Sequence, residues 1–275
     1  MLVSCRDTVV SKDHMLGYDF RLFQGTPSWD LAKAVDNEDT IKIIDIIAKN
    51  KSLLESREPK FGQTLLLMAV KTLKFESAKT LVSLGADPNN QDKYGGSSPL
   101  MEAASIMLVD LNNFGNNPKY LKLLLEHGGD PNAEEKGVRP EGYNARYTPL
   151  LRACQISNFD YVKMLVNAGA KVNYINEYEM SPLGVASLDG RNPDIVLYLI
   201  EKGADFKRPI MKTISGKKVY ITDLMRTWRY DLGSDLYKKK MQLVDVLKRN
   251  GMDYRKTEIP DWYFNDYTKE YLEKY

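Results

Sequence analysis

The side chains best suited to catalysis or metal binding are few in this chain and lie far apart in the sequence. It has two cysteines and two histidines among 275 residues, at Cys5, Cys154, His14 and His127. A zinc site would need nearly all four to converge as ligands, and their spacing gives no support for that. Two cysteines also exclude a disulfide framework. The sequence therefore predicts no metal and no cofactor.

The sequence patterns of common catalytic sites are missing as well. A nucleophile elbow needs Gly-x-Ser-x-Gly, and no such string exists. The phosphate-binding pattern Gly-x-x-x-x-Gly-Lys-Ser/Thr is represented only by the fragment Ser215-Gly216-Lys217. Cys154 follows Ala153 in an apolar segment, so we expect it to be a buried packing residue rather than a nucleophile. The sequence favours a protein that is not an enzyme.

Composition and charge restrict the remaining classes of protein. Lys and Arg number 39 against 37 Asp and Glu, and this balance argues against a protein that coats nucleic acid. Hydrophobic residues make up 43% and charged residues 28%, which is ordinary for a folded protein and argues against wholesale disorder. No apolar run reaches the length of a membrane-spanning helix. As the sequence is written, we expect a cytoplasmic protein without a nucleic-acid partner.

The amino terminus allows a second interpretation. Leu2-Val3-Ser4-Cys5 resembles a bacterial lipobox, although the apolar and basic regions that should precede a lipobox are missing. If the true start lies upstream, Cys5 would be lipidated and the protein anchored in the periplasm or at the outer membrane. Otherwise the tetrapeptide is a chance match. Residues 1–25 show no clear periodicity and are predicted to form an amino-terminal arm or tether.

A turn recurs along the chain, and each copy follows an apolar segment with helical periodicity. Its glycine is suited to the left-handed cap that ends a helix. The copies are Gly85-Ala86-Asp87-Pro88-Asn89, Gly128-Gly129-Asp130-Pro131-Asn132, Gly169-Ala170-Lys171-Val172-Asn173, Gly203-Ala204-Asp205 and Gly251-Met252-Asp253.

A second recurring pattern precedes these turns. Its Thr or Ser can cap the amino terminus of a helix, and proline fits the first helical turn. The copies are Thr64-Leu65-Leu66, Ser98-Pro99-Leu100, Thr148-Pro149-Leu150 and Ser181-Pro182-Leu183. A small residue follows each cap five positions later, at Ala69, Ala103, Ala153 and Ala186, which lets neighbouring helices approach closely. Between cap and turn, the apolar residues repeat every four positions, which predicts a second helix with one buried face.

In these features the chain resembles the ankyrin repeat family, from about residue 29 to residue 254. The resemblance implies an all-α solenoid of about six helix-turn-helix repeats, four regular and one degenerate at each end. We expect the repeat domain at 26–259 and an aromatic tail at 260–275 that caps the last repeat. Extra residues interrupt the repeats around 109–117, 135–146, 209–218 and 228–235.

The resemblance also implies that the protein is a monomer that binds a partner protein through its finger loops and concave face. Aromatic residues and arginine dominate binding hot spots, and the finger positions are rich in both. The predicted partner-binding residues are Phe61, Tyr94, Tyr143, Arg146, Tyr147, Tyr178, Met180 and Tyr220. Bacterial ankyrin proteins of this size are often partner-specific binders, including inhibitors of toxins or envelope enzymes, so an inhibitor or immunity-type role is one expectation.

Two other functions stay open at this stage. The long insertions could form a pocket for a small ligand or a reaction, which requires polar groups of Glu135 to Tyr147 to converge with those near Trp228. The protein could instead be a spacer held to a membrane through a lipid on Cys5. The run Lys238-Lys239-Lys240 is expected at the exposed beginning of the last helix.

Overall fold

The computed structural model describes residues 11–106, 118–138, 146–213, 215–261 and 263–274. Regular structure in these residues is almost entirely helical, which confirms the predicted all-α architecture. The chain divides into two compact units, Met1–Pro149 and Leu150–Tyr275. Each unit is described by itself below.

The first unit consists of stacked helix pairs. Its helices are α1 (Trp29–Asp36), α2 (Thr40–Lys49), α3 (Leu65–Lys71), α4 (Phe75–Ser83), α5 (Pro99–Ala103) and α6 (Lys119–Glu126), and α7 (Pro149–Gln155) begins at its last residue. The first helices of the pairs contact one another in the order α1, α3, α5. The second helices do the same in the order α2, α4, α6. Short 3-10 helices lie at Phe20–Phe23 and Lys51–Leu53.

The second unit continues the helix pairs and adds a small hairpin. Its elements are α8 (Phe159–Asn167), α9 (Pro182–Ser187), α10 (Pro193–Glu201), β1 (Met211–Lys212), β2 (Lys218–Val219), α11 (Ile221–Thr227), α12 (Asp235–Arg249), a 3-10 helix (Tyr254–Lys256), α13 (Tyr263–Asp266) and α14 (Lys269–Lys274). Helices α8, α10 and α12 contact one another in that order, and α9 contacts α11. The antiparallel strands β1 and β2 occupy the predicted insertion at 209–218, with Met211 opposite Val219.

The helix caps lie where the repeated pattern predicts them. The Thr64 hydroxyl accepts a hydrogen bond from the backbone N–H of Leu67 at 3.2 Å, which caps α3. The hydroxyls of Ser98 and Ser181 cap α5 and α9 in the same way. Each cap satisfies a backbone donor that the first helical turn leaves without a partner.

The glycine turns and small residues are confirmed as well. All five turn glycines have positive φ, between 88° at Gly128 and 97° at Gly85. These values lie in the left-handed region, where a side chain would be strained. The four alanines that follow the caps are all buried, the most exposed being Ala186 at 4%. They therefore sit in the helix packing of each unit, as the sequence predicts.

Part of the predicted amino-terminal arm is docked. Phe20, Leu22 and Phe23 are buried, and their 3-10 helix packs against α1. The Lys60 ammonium donates hydrogen bonds to three backbone carbonyls of the arm, among them that of Asp13 at 2.7 Å. Met15, Phe20, Leu22 and Phe23 thus belong to the core of the first unit.

The prediction for the lysine run was wrong at one residue. Helix α12 begins at Asp235, so Lys240 lies inside the helix and not at its exposed beginning. Lys240 is completely buried on the face that also buries Leu243 and Leu247. Lys238 is exposed, as predicted.

Candidate finger-loop binding surface

Three loops of the first unit carry three of the eight predicted binding residues, namely Phe61, Tyr94 and Tyr147. We call these loops finger 1 (58–63), finger 2 (92–97) and finger 3 (135–138 together with Tyr147). A buried carboxylate organises each of them, namely Glu58, Asp92 and Glu135. These acids were not predicted as part of the site.

The buried carboxylates accept hydrogen bonds from backbone N–H groups of their own fingers. The Glu58 carboxylate accepts from Lys60, Phe61 and Gln63 at 2.7–2.9 Å. The Asp92 carboxylate accepts from Gly95 and Gly96 at 2.7 and 2.9 Å.

In finger 3, the Glu135 carboxylate accepts from the N–H of Tyr147 at 3.2 Å. Hydrogen bonds to an ionised acceptor are stronger than neutral ones. Together with the bonds in the other two fingers, this contact fixes the shape of each finger.

A corresponding loop in the second unit uses an amide instead. We call it finger 4 (176–180). Asn176 is 6% exposed, and its side-chain oxygen accepts from the N–H groups of Tyr178 and Met180, both at 3.0 Å. In fingers 1, 2 and 4, the organising residue stands five or six positions before the helix-capping Thr or Ser. That spacing is the signal from which the organising residues could have been predicted.

Hydrogen bonds also join the fingers of the first unit to one another. The N–H of Lys93 donates to the carbonyl of Phe61 at 2.9 Å, and the N–H of Val138 donates to the carbonyl of Lys93 at 3.2 Å. Fingers 2 and 3 approach so closely that a Cβ on Gly96 would lie 2.2 Å from the backbone nitrogen of Gly137. The three fingers therefore form one connected array.

The array brings two of the predicted aromatic residues together. Tyr94 is 60% exposed, and its ring meets the half-buried ring of Phe61 edge to face, with centroids 6.2 Å apart. The Lys60 ammonium lies 5.0 Å from the centroid of Phe61. At the base of finger 3, Tyr147 is half-buried and the Arg146 guanidinium donates to the carbonyl of Glu135. Phe61 and Tyr94 thus share one surface.

The predicted residues of the second unit differ in accessibility. Tyr178 is 48% exposed at the tip of finger 4, between the exposed residues Glu177 and Glu179. Glu179 forms an ion pair with Lys212 of strand β1. Met180 and Tyr220 are half-buried.

Tyr220 has a structural role of its own. Its backbone N–H donates to the Asp223 carboxylate at 2.7 Å, at the beginning of α11. This leaves Tyr178 as the most exposed aromatic residue among the predicted positions of the second unit.

Two predicted residues, Tyr143 and Cys5, lie outside the described residues, as do 107–117 and 139–145. The predictions that concern them therefore stay predictions. Within the described part of the chain, no helix is both long and apolar enough to cross a membrane.

Cys154 and His127 are among the side chains best suited to catalysis, but their surroundings indicate structural roles. Cys154 is buried, and burial raises the pKa of its thiol, which keeps the sulfur protonated at neutral pH. His127 ends α6, where its Nδ1 lies 2.8 Å from the carbonyl of Leu123. In the described residues, no three His, Cys, Asp or Glu side chains are grouped in a way that could hold a metal ion.

Comparison with known proteins identifies the repeat. The ankyrin repeat family model, in three copies, matches residues 108–209. The solved structure of an ankyrin repeat domain from Acinetobacter baumannii AYE superposes with a TM-score of 0.58 at 24% identity, covering 78% of this chain and 96% of that one. The ankyrin repeat protein EF0377 gives a TM-score of 0.56 at 23% identity, covering 80% and 96%. The chain therefore has the fold of an ankyrin repeat domain, and its residues 108–209 match the ankyrin repeat model.

The chain spans only about a tenth of the length of the curated relatives it matches. It is 30% identical over 154 residues to human transient receptor potential cation channel subfamily A member 1, covering 56% of this chain and 12% of the channel. It is 32% identical over 121 residues to alpha-latrocrustotoxin-Lt1a of Latrodectus tredecimguttatus, covering 41% of this chain and 8% of the toxin. Ankyrin repeats in general mediate protein–protein interaction and are generally not catalytic.

Proposed function

We propose that this protein is a non-catalytic binding module that recognises one partner protein through its finger loops and the exposed positions of the neighbouring first helices. The observation that carries the proposal is the exposed ring of Tyr94. This ring is 60% exposed, yet it stands on a finger whose backbone is fixed by a buried carboxylate and by hydrogen bonds to the adjacent fingers.

A fixed aromatic side chain supports binding for an energetic reason. Association costs free energy when loops and side chains must be ordered at the interface. The fingers of the first unit are already held by the hydrogen bonds of Glu58, Asp92 and Glu135, so their backbone has little conformational freedom left to lose on binding. Tyrosine supplies a large contact area and a hydroxyl, which is why it is enriched in hot spots.

The second unit offers a contact of the same kind at Tyr178. Asn176 holds the backbone of finger 4 at Tyr178 and Met180, and the Tyr178 ring is 48% exposed. We propose both residues as a contact of the second unit, in addition to the contact that Phe61, Tyr94, Arg146 and Tyr147 offer in the first unit. A rigid surface of this type suits the occlusion of a partner's active surface, as an inhibitor or immunity-type protein does.

We propose that the protein acts as a monomer without a cofactor in the cytoplasm. Lipidation of Cys5 would instead place it in the periplasm or at the outer membrane. Mass spectrometry of the protein isolated from its native cells distinguishes the two, because a lipid adds mass to the peptide that contains Cys5.

Affinity capture from a lysate of the native source tests the binding function. The baits are the full wild-type chain, a Tyr94→Ala/Tyr178→Ala variant, and a control Tyr18→Ala/Phe264→Ala. The control removes two rings that are equally exposed, 59% and 60%, but lie outside the fingers. Circular dichroism checks that all three baits fold.

We expect mass spectrometry to find one protein that wild type and control retain and the finger variant loses. Equal recovery of that protein by all three baits would refute binding through the finger aromatic residues.

A further inference from the structure

In fingers 1, 2 and 3, the acidic side chains are buried and the lysine side chains are exposed. Each finger contains an acid followed closely by a lysine: Glu58 and Lys60, Asp92 and Lys93, Glu135 and Lys136. The three acids are between 1% and 8% exposed, and their oxygens are taken up by backbone N–H groups. The three lysines are exposed. These three acids thus contribute to the fold, and the three lysines stand on the surface of the fingers.

Two of these lysines are available to a partner. Lys60 is occupied, because its ammonium binds the carbonyls of the amino-terminal arm. Lys93 and Lys136 are exposed and form no ion pair with any described residue. Within the described residues, Lys93 thus places a positive charge next to Tyr94, and Lys136 places one near the tip of finger 3.

Apolar side chains lie between and beside these two charges. Val138 is 80% exposed, and its N–H donates to the carbonyl of Lys93, so the two residues are neighbours across fingers 2 and 3. Tyr94 follows Lys93 directly and packs against Phe61. We call Lys93, Tyr94, Lys136 and Val138 the finger patch. It combines two cations with two exposed apolar side chains on a rigid backbone.

We propose that the finger patch binds an acidic segment of the partner protein, one in which Asp or Glu side chains stand next to large apolar ones. This inference rests on the proposed function. Carboxylates would pair with Lys93 and Lys136, and an apolar side chain would pack against Tyr94 and Val138. Charge complementarity of this kind selects partners and speeds association.

Finger 4 shows that the separation of charge is specific to the first unit. There the organising residue is Asn176, and the acids Glu177 and Glu179 stay exposed around Tyr178. A nucleic-acid ligand is disfavoured, since the net charge is only +2 and two lysines would neutralise few phosphates.

Selection from a phage library of random dodecapeptides tests the inference. The immobilised targets are the full wild-type chain, Lys93→Glu/Lys136→Glu, Tyr94→Ala, and the control Lys79→Glu/Lys122→Glu. The control reverses two exposed lysines on α4 and α6, so its net charge equals that of the finger-patch variant.

We expect wild type and control to enrich peptides rich in Asp and Glu with Leu, Phe or Tyr. Lys93→Glu/Lys136→Glu should lose that enrichment, and Tyr94→Ala should keep the acids but lose the apolar preference. A selected peptide, synthesised with a fluorescent label, should bind the finger-patch variant about tenfold more weakly or worse, and binding to wild type should weaken as salt is added.

Three results would overturn the inference. Peptides without acidic enrichment that still depend on Tyr94 would refute the acidic partner and leave the proposed function standing. Failure to enrich any peptide would refute recognition of a linear segment, and the affinity capture would then decide the proposed function separately. Tighter binding of a labelled oligothymidylate than of the selected peptide would point to nucleic acid instead.

Discussion

Replacing Lys240 with methionine is expected to stabilise the second unit at neutral pH. Lys240 is completely buried on α12, with its ammonium 5.2 Å from the ring centroid of Tyr254. Burial, and then the charges of Arg226 and Arg255, lower the pKa of Lys240 from 10.5 to about 6. At pH 7 the amine is thus mostly uncharged in the folded protein and protonated in the unfolded chain.

The size of the effect follows from this difference in pKa. One unit of pKa corresponds to about 1.4 kcal/mol, so deprotonating Lys240 on folding at pH 7 costs about 5 kcal/mol. The folded protein carries this penalty at pH 7. Methionine has a similar volume and no charge, so it removes that penalty at little cost in packing.

The same difference fixes how stability depends on pH. Between pH 6 and 10.5 the unfolded chain binds one more proton at Lys240 than the folded protein does. The free energy of unfolding therefore rises with pH in this range, by up to about 1.4 kcal/mol per unit, and below pH 6 the full penalty is present. Burial raises the pKa values of Tyr230 and Tyr254, so these phenols stay neutral and add no slope near pH 8.

Urea unfolding at pH 7, 8 and 9, followed by tryptophan fluorescence, measures the effect, because Trp228 is buried in the same unit. We expect the wild-type midpoint to rise with pH. Lys240→Met should have a higher midpoint at pH 7 and a flatter pH dependence. Lys238→Met is the matched control, because Lys238 is exposed on the same helix and should leave the slope unchanged. Equal slopes for wild type and Lys240→Met would refute the reasoning.

Three further outcomes are expected. Asp92→Ala removes the acceptor of two backbone N–H groups and should lower the stability of the first unit by about 1–3 kcal/mol in thermal unfolding, whereas Asp92→Asn keeps an acceptor oxygen and should lose less. Gly96→Ala should lower the urea midpoint more than Gly85→Ala, because both glycines have positive φ but only Gly96 faces neighbouring backbone. Cys154, whose buried thiol has a raised pKa, should react with a thiol reagent only after unfolding, which mass spectrometry of a Cys5→Ser background shows.

The repeated part of the fold could be predicted because several copies of each signal stand in register. A single Ser-Pro-Leu means little. The caps Thr64, Ser98 and Ser181 were identifiable because each lies at the same distance from a buried alanine. The turn glycines were recognised in the same way, and their positive φ values follow from the need to end a helix within one residue.

The features that occur once could not be predicted in this way. Lys240 has no counterpart in another repeat that would show which way its side chain points. Its neighbours in sequence, Lys238 and Lys239, suggested a solvated run. Lys240 faces the core because α12 begins at Asp235, which places Lys240 on the same face of the helix as Leu243. The docked residues Phe20 and Phe23 were missed for the same reason, since four residues of 3-10 helix contain too short a pattern to show a period.

The finger acids show why a balanced composition can hide a charged surface. Formal net charge counts Asp92 and Lys93 as cancelling. In the structure the Asp92 carboxylate is 8% exposed and bound by the N–H groups of Gly95 and Gly96, while the Lys93 ammonium is in solvent. Water and a partner protein therefore meet the lysine first, and Glu135 and Lys136 repeat the arrangement in finger 3. A carboxylate that holds a turn is still charged, but its field is largely compensated by the amide dipoles that bind it. The sign of the charge on a binding surface thus depends on which charged side chains are buried and bound by backbone groups. The near-zero net charge of this chain excludes a uniformly basic protein, but it does not exclude a basic patch.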